Sequence, residues 1–502
     1  MTNGNKRLIL NTVSGIVRQV VTVICGFILP SFFLNRYGSE VNGLITSMTQ
    51  FLGFITLLEM GIGPVIQANL YKPLADNDIN RISEIVKSAE RFFKRIAYVF
   101  LAYIVVLSIV FPTTIAAGFD AFFTISLLII IAISTIAQYF FGATYQVLLN
   151  ADQKSYIQMG LQTIAILLNT ILSVVLIRWG ASIHIVKLVS ASIFILRPIG
   201  QMIYVKKNYP LNKKIELEGE PISQKWNGIA QHVATTVSAD TSTVILSFFS
   251  SLSNLSIYSV YNLVTNGLTN IIATGFLGVD SYFGHIIAKR DEQDIKKSFE
   301  MVEFVTHGIV TVIFAIAGMA IIPFVTIYTY NVNDANYIQP FFGMILVAAY
   351  GVRCIRMPYH SIVNAAGHFK QTQAGSFIMA AVNIIVSIIL VIPFGLVGIA
   401  TGLFLSMAFH TIYFVWYLRS NIINRPMYVF VKYLVLDTAI VVVSVLVSRI
   451  INLGELTWIT FFFYLIKCGL LTLGIAVLMN ILFNFKMVKA SAEKLLFKPR
   501  NK

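Results

Sequence analysis

Charged residues and cysteines are scarce in this sequence for a chain of its length. Of its 502 residues only 12% are charged, whereas 57% are hydrophobic. An ordinary soluble domain has about a quarter of its residues charged, so this scarcity excludes a soluble globular protein. The three cysteines, Cys25, Cys354 and Cys468, lie inside apolar stretches and lack the spacing of metal ligands. We therefore expect them to be buried thiols.

The sequence also lacks the patterns of a catalytic or cofactor site. No nucleophile–base pair, phosphate-cradling glycine loop or cluster of metal ligands stands out. His307 and His410 stand alone in apolar surroundings, which is typical of core histidines whose hydrogen bonds are satisfied. We therefore expect a protein that is not an enzyme and needs no metal or cofactor. A glycan polymerase or ligase is a weaker hypothesis, because no predicted external loop is long enough to hold an acceptor.

What the sequence has instead is a succession of long hydrophobic runs. Apolar stretches of about 20 residues or more recur from end to end, and this is the length that an α-helix needs to cross a bilayer. The runs do not alternate with a period of two, as the strands of a membrane barrel would. The first run is too long for a cleaved signal peptide. We predict an all-α polytopic membrane protein with about fourteen transmembrane helices.

The basic residues are distributed unevenly between the predicted loops. The net charge of +15 could indicate nucleic-acid binding, but about 28 of the 37 Lys and Arg residues fall on one side of the membrane. Only Arg36, Arg178, Lys187 and Arg449 fall on the other side. By the positive-inside rule, the sequence predicts a multi-pass protein of the cytoplasmic membrane with both termini in the cytoplasm. The basic face is expected to meet anionic lipid headgroups rather than nucleic acid.

The chain contains an internal repeat. At an offset of 216 residues Asn11 matches Asn227, and at 214 three further elements match: Asn150-Ala151 with Asn364-Ala365, Asn169 with Asn383, and Ser173 with Ser387. Parallel repeats of this kind are typical of transporters. We predict two pseudo-repeated six-helix lobes followed by two C-terminal helices. The boundaries are 1–205 for the N-terminal lobe, 206–225 for a cytoplasmic linker, 226–419 for the C-terminal lobe, 420–485 for helices 13 and 14, and 486–502 for a basic cytoplasmic tail.

The first predicted helix carries a polar stripe through an otherwise apolar span. Asn11, Gly15, Arg18 and Thr22 follow spacings of 4, 3 and 4, so a helix aligns them on one face. A guanidinium at the bilayer centre costs at least about 2.5 kcal/mol. We therefore expect Arg18 to face a wet cavity or a partner, with Asn11 and Thr22 along the path of a substrate.

A second polar stripe lies in the tenth predicted helix. Arg353, Arg356, His360 and Asn364 follow spacings of 3, 4 and 4. Arg18 and Arg356 lie at similar predicted depths in opposite lobes. Arg18, Arg353 and Arg356 are therefore expected to form an anion site, because guanidiniums match phosphate oxygens with two parallel hydrogen bonds. The alternative is that each arginine pairs with an internal acid or extends to the membrane surface, which is what we expect of Arg197.

The seventh and eighth predicted helices are unusually polar. The side chains that we expect along a substrate path are Gln231, Thr235 and Ser238 on the seventh helix and Asn262 and Asn266 on the eighth. Amides and hydroxyls in a wet groove suit a sugar better than an apolar drug. The alternative is that these groups form hydrogen bonds between tightly packed helices.

Two acidic residues, Glu59 and Asp240, stand out within predicted spans, and Asp437 lies within the thirteenth predicted helix. Glu59 and Asp240 could each take up a coupling proton or neutralise an arginine, and we favour the ion pair. Asp437 and Lys467 lie on consecutive antiparallel helices at similar depth, which predicts a structural ion pair.

The segment Phe51–Leu70 resembles a family signature. An element of the form acid-x-Gly-Ile/Leu-Gly, here Glu59 to Gly63, closes the second helix in Wzx-type polysaccharide flippases. These proteins belong to the multidrug/oligosaccharidyl-lipid/polysaccharide exporter superfamily, called the MOP superfamily below. The short linker Asn150 to Lys154 and the fourteen helices in two lobes are also similar, so the resemblance covers essentially the whole chain.

The resemblance implies a flippase for undecaprenyl-diphosphate-linked oligosaccharide. Such a protein moves repeat units across the cytoplasmic membrane by alternating access, for the synthesis of a capsule or exopolysaccharide. A polysaccharide polymerase would be a partner. Arg18 matches the helix-1 arginine of relatives that flip peptidoglycan precursors, whereas Arg353 and Arg356 rest on spacing alone. The alternative is an ion-coupled multidrug exporter of the same superfamily, against which the basic residue and missing acid of helix 1 argue.

Overall fold

The computed structural model describes residues 3–60, 62–212, 215, 241–289, 292–451 and 454–496. Within these residues the chain is almost entirely helical and no strand is present. The α-helices are α1 Asn3–Gly53, α2 Thr56–Met60, α3 Gly63–Asp76, α4 Ile79–Val110, α5 Ala121–Ala137, α6 Ala143–Ala151, α7 Ser155–Arg178, α8 Ile183–Asn208, α9 241–249, α10 Leu252–Lys289, α11 Glu292–Tyr328, α12 Pro340–Ile355, α13 Met357–Ala365, α14 Phe369–Asn421, α15 Tyr428–Ser448 and α16 Trp458–Leu496.

Ten helical segments among the described residues are long and apolar enough to cross a membrane. This confirms an all-helical protein with many spans, whereas the count of fourteen stays a prediction. The two longest helices each contain a sharp bend at a glycine with positive φ. Gly38 in α1 has φ 82° and Gly395 in α14 has φ 54°, a backbone conformation that glycine adopts at no steric cost. Each long helix therefore consists of two helical segments that meet at one residue.

The chain divides into two compact units, Met1–Ser256 and Ile257–Lys502. In the first unit α1 packs along α7, and α8 packs against both α5 and α7. Three of its helices begin at side-chain caps, in which Asp78, Asp120 and Ser182 accept hydrogen bonds from backbone N–H groups. These caps satisfy helix-terminal donors that the bilayer cannot. Each of these caps ends a short loop. The helices α4, α5 and α8 that follow pack around a core that is rich in phenylalanine.

In the second unit α12 packs along α14, while α11 contacts α12, α15 and α16. The helix pair α12 and α13 is broken at Arg356, which ends the first helix and begins the second. Pro358 lies in the first turn of α13, and its ring nitrogen has no hydrogen to donate to the preceding turn. The Arg356 N–H still donates to Val352 O at 3.2 Å, so the backbone bond that is missing belongs to Pro358, two residues after the charged side chain. All three cysteines are buried thiols, as predicted.

Gly43 marks a close approach within the first unit. A Cβ atom at this position would lie 1.9 Å from the backbone oxygen of Leu252, in the part of α10 that belongs to this unit. Backbone atoms cannot move aside as a flexible side chain would, so we expect Gly43→Ala to lower the unfolding temperature of the purified protein. Gly26→Ala is the matched control on the same helix, since its Cβ would meet nothing within 4 Å. Equal unfolding temperatures for the two variants would contradict the close approach.

Candidate functional site

The start of α1 is attached to the loop between α6 and α7. Asn11 donates through Nδ2 to the backbone oxygen of Gln153 at 2.9 Å, and its Oδ1 accepts from the Tyr156 N–H at 2.8 Å. Four residues earlier, Arg7 forms an ion pair with Asp152 at 3.1 Å. Asn11, predicted to lie on a substrate path, is therefore occupied in holding two helices together.

Asp152 is the centre of a polar cluster at this end of the unit. It pairs with Lys154 at 2.7 Å as well as with Arg7, and it accepts a hydrogen bond from the Tyr209 hydroxyl. Burial and the neighbouring carboxylate raise the pKa of Tyr209 well above its usual range, so the hydroxyl keeps its proton and remains a donor. The cluster fixes the first turns of α1 relative to α6, α7 and the chain that follows α8.

Asn11→Ala is expected to destabilise the protein by about 1–3 kcal/mol, because it removes two hydrogen bonds worth about 0.5–1.5 kcal/mol each. Thr12→Ala serves as the control, since the Thr12 hydroxyl bonds only the backbone of its own helix, at Leu8. Denaturant unfolding of the detergent-solubilised variants checks this. A loss of transport in Asn11→Ala at unchanged stability would restore the substrate-path role.

Arg18 lies about two turns further along α1 than Asn11 and interacts with an arginine of another helix. It is half-buried, and its guanidinium interacts electrostatically with that of Arg197 on α8. Arg197 in turn lies near the Glu59 carboxylate of α2 and donates to Gln162 Oε1 at 2.6 Å. The first unit therefore gathers two guanidiniums, one carboxylate and one amide. The excess of positive charge suits an anion.

Two residues of this part of the chain have hydrogen-bond partners that the sequence did not predict. Arg197, expected to extend to the membrane surface, instead bonds an amide on a neighbouring helix. Thr22, expected on a substrate path, donates to the backbone oxygen of Arg18 at 2.7 Å. The bond to its own helix satisfies the hydroxyl, so Thr22 carries no demand for a further partner.

Arg356 occupies the break between α12 and α13 in the second unit. Its Nη1 faces the thioether sulfurs of Met379 and Met407, each at 3.8 Å. Thioethers are weak acceptors that cannot balance a full charge. In the part of the chain that the structure describes, no carboxylate oxygen lies within 4 Å of Arg356 or Arg353. The α12–α13 break therefore holds a guanidinium that has no acidic partner among these described residues.

Arg353 extends this positive region along α12. Its guanidinium lies over the ring of Tyr350, 5.9 Å from the centroid, and interacts with Arg356. The Tyr350 hydroxyl donates to Asn262 Oδ1 of α10 at 2.6 Å. The structure thus links Asn262 to this arginine pair, whereas Asn266 is half-buried one turn further along α10. Like-charged guanidiniums held close together raise the affinity of the position for an anion.

His360 and Asn364 continue the stripe on α13, as the spacing predicts. Asn364 Nδ2 lies 3.0 Å from His360 Nδ1. The charge of Arg356 also acts on His360 and on His410 of α14, and both histidine rings contact Phe414. Asp280 on α10 is an acidic residue that interacts with His360. Both rings therefore lie close to a fixed positive charge.

Four predicted site residues, Gln231, Thr235, Ser238 and Asp240, lie outside the described residues. Among those that are described, no group of three or more His, Cys, Asp and Glu side chains is placed to hold a metal ion.

Asp437 has a different partner from Lys467, which its predicted depth in the membrane had suggested. Its Oδ2 lies 2.5 Å from His307 Nδ1 on α11, whereas Lys467 is exposed on α16 and makes no ion pair with it. A second buried pair lies one turn earlier on α11, where Glu303 binds Arg425 at 2.5 Å and accepts a hydrogen bond from Tyr359. Sequence reasoning missed Glu303 and Arg425, although the spacing of four between Glu303 and His307 places both on one helix face.

Comparisons with known proteins find relatives by structure alone. No protein-family model matches the chain, and no curated protein matches it. The lipid II flippase MurJ in an inward closed conformation has a TM-score of 0.70 at 13% identity, covering 96% of this chain and 100% of that one. A MATE family multidrug transporter in an inward-facing conformation has a TM-score of 0.59 at 13% identity, and the match covers 80% of this chain and 96% of that one. The D35N mutant of the Vibrio cholerae MATE transporter VcmN has a TM-score of 0.55 at 13% identity, and the match covers 83% of this chain and 97% of that one. The chain is therefore a multi-pass membrane protein with the fold of MurJ and of the MATE transporters.

Proposed function

We propose that this protein is a flippase for undecaprenyl-diphosphate-linked oligosaccharide. It moves the repeat units of a cell-surface polysaccharide across the cytoplasmic membrane by alternating access, and its termini lie in the cytoplasm. The diphosphate binds at Arg18, Arg353 and Arg356, the glycan passes polar side chains such as Asn262, and the lipid tail stays in the bilayer. A polymerase takes up the delivered units.

The observation that carries this proposal is that Arg356 has no acidic partner within 4 Å among the residues that the structure describes. A guanidinium inside a membrane span is expensive unless a water-filled cavity or a counter-charge compensates it. Among the described residues Arg356 has two sulfur neighbours and a second arginine nearby, and we assign the counter-charge to a ligand. A diphosphate offers several oxygen acceptors on one small group and fits paired guanidiniums.

The structural relatives support this proposal in two respects. One of them, MurJ, is a lipid II flippase and matches over its entire length. MATE transporters of the same fold occur in inward-facing and outward-facing conformations, which supports alternating access for this chain too.

The alternative is an ion-coupled multidrug exporter, which the fold supports equally well. The acid Glu59, in the polar cluster of the first unit, is the observation that favours it, because cationic drugs need a negative partner. The two functions make opposite demands on charge. Since Arg18 and Arg197 outnumber Glu59 in that cluster, the residues favour an anionic substrate.

Translocation of a fluorescent undecaprenyl-diphosphate oligosaccharide into proteoliposomes tests the proposal. Wild type is expected to flip the lipid, whereas Arg18→Ala is expected to lose flipping while it unfolds at the wild-type temperature. Arg36→Ala is the control on the same helix, since Arg36 is exposed and bonds only the backbone of Gly180. Uptake of a cationic dye by a protein that leaves every diphosphate-linked glycan in place would establish the exporter instead.

A further inference from the structure

A set of unpaired polar atoms lies buried where α11, α15 and α16 meet. The hydroxyls of Thr311, Ser444 and Thr472 and the Nε2 atom of His307 make no hydrogen bond to any group that the structure describes, and all four residues are at least nine-tenths buried. A buried polar atom without a partner costs about 1–3 kcal/mol. Four such atoms in one helix interface indicate water or an ion between them.

The helix register brings these atoms to neighbouring levels. Lys432 on α15 donates to Asn484 of α16 at 2.8 Å, which fixes the antiparallel pair. Twelve residues on from Lys432 is Ser444, and twelve residues back from Asn484 is Thr472, so the two hydroxyls lie at one level. On α11, Thr311 follows His307 by one turn. With a rise of about 1.5 Å per residue, the string from Asp437 to Ser444 extends about 10 Å, or about a third of the hydrocarbon thickness.

The His307–Asp437 pair lies at one end of this string. The carboxylate accepts from Nδ1 at 2.5 Å, so Nδ1 carries a hydrogen and Nε2 presents a lone pair on the other side of the ring. The ring stacks on Tyr433 at 5.1 Å, which holds its orientation. Uptake of one proton at Nε2 converts the imidazole into an imidazolium, and the adjacent carboxylate supplies the counter-charge.

The groups around the pair are already committed to each other. Glu303 on α11 is paired with Arg425 and bonded to Tyr359 of α13, so this neighbouring set is neutral. Tyr433 on α15 interacts with Asp437 and Glu303, and α16 contributes the Thr472 hydroxyl while its Lys467 is exposed. The His307–Asp437 pair is therefore the group here whose charge changes when a proton enters.

We propose that the His307–Asp437 pair is a proton-binding site, connected through water to the hydroxyls of Thr311, Ser444 and Thr472. Its proton couples transport to a proton gradient. This second statement rests on the proposed function, whereas the binding site stands independently of the substrate. Chains of acidic residues and histidines inside membranes commonly relay protons, and here the hydroxyl string supplies the route.

Proton binding is measured first, without substrate. The full chain, labelled with nitrogen-15 in its histidines, is placed in nanodiscs and examined by NMR between about pH 5 and about pH 8. We expect Nε2 of His307, assigned by its loss in His307→Gln, to gain and lose a proton reversibly. In Asp437→Asn the imidazolium has no counter-charge, and the ring is expected to stay neutral. A His307 ring that never changes its protonation in the wild type overturns the site.

Two further measurements test the hydroxyl route, with a variant that keeps both charges, and the coupling of transport to the proton gradient. Thr472→Val removes one hydroxyl of similar volume and is expected to slow proton exchange at Nε2 while His307 still titrates. In proteoliposomes, an imposed pH gradient should accelerate wild-type transport and leave Asp437→Asn at its rate without a gradient. Titration of His307 together with gradient-independent transport overturns the coupling. Titration in a protein that flips no glycan leaves the proton site standing and refutes the proposed flippase.

Discussion

Arg356→Ala is expected to abolish flipping of the diphosphate-linked glycan. The guanidinium has no carboxylate within 4 Å among the described residues and faces only two thioethers, so its charge is available to the substrate. Removing one partner of a desolvated charge pair costs about 2–5 kcal/mol or more, which corresponds to at least about a thirtyfold loss of affinity. Initial flipping rates in proteoliposomes at limiting substrate measure the effect.

Two further variants show whether the loss belongs to the anion site. Arg356→Lys keeps the charge but offers no planar fork for two phosphate oxygens, so we expect partial recovery. Arg419→Ala removes an exposed arginine from the last turn of α14 and should retain the wild-type rate. If Arg356→Ala flips as fast as Arg419→Ala, the diphosphate does not bind at the α12–α13 break.

Arg425→Met is expected to cause the largest loss of stability of any single substitution considered for the second unit. It leaves the Glu303 carboxylate, which has no exposed surface, with the Tyr359 hydroxyl as its remaining partner. Breaking a buried ion pair from one side costs about 3–5 kcal/mol. Thermal unfolding in detergent, followed by intrinsic fluorescence, would show a clear decrease in midpoint.

The double variant Glu303→Gln/Arg425→Met separates the charge from the packing. It removes both charges while the amide still accepts from Tyr359, and we expect it to regain most of the lost stability. Arg81→Met is the matched control, because its pair with Glu84 is partly exposed and is worth at most about 1 kcal/mol. A double variant as unstable as Arg425→Met would mean that the arginine side chain acts through packing rather than charge.

The sequence predicted the class of fold because that class depends on composition. Low charge and long apolar runs suffice for a helical membrane protein. The stripe of Arg353, Arg356, His360 and Asn364 was also readable, since positions three or four apart share a helix face. The break at Arg356 was not predicted, although Pro358 two residues later is the signal that could have revealed it.

Side-chain contacts between different helices could not be predicted from the spacing of residues along the sequence. Depth placed Asp437 level with Lys467, but depth does not fix the rotation of a helix about its axis. The structure turns Asp437 towards His307 and leaves Lys467 exposed. Similarly, Arg197 and Gln162 are 35 residues apart, and neither carries a spacing pattern that points to the other. Such pairs follow from packing of whole helix faces.

Ordinary helical hairpins have a loop between their two helices, whereas the bend at Gly395 in α14 has none. Two long helical segments meet there at a single residue of positive φ, with no intervening loop of extended backbone. Proteases cut and inserted tags survive where several residues of backbone are free of helical bonding. The stretch between α11 and α12, which has no regular helix from 329 to 339, meets that requirement, whereas residue 395 does not. Epitope insertion for topology mapping should therefore succeed between residues 329 and 339, and it should disrupt the protein at residue 395.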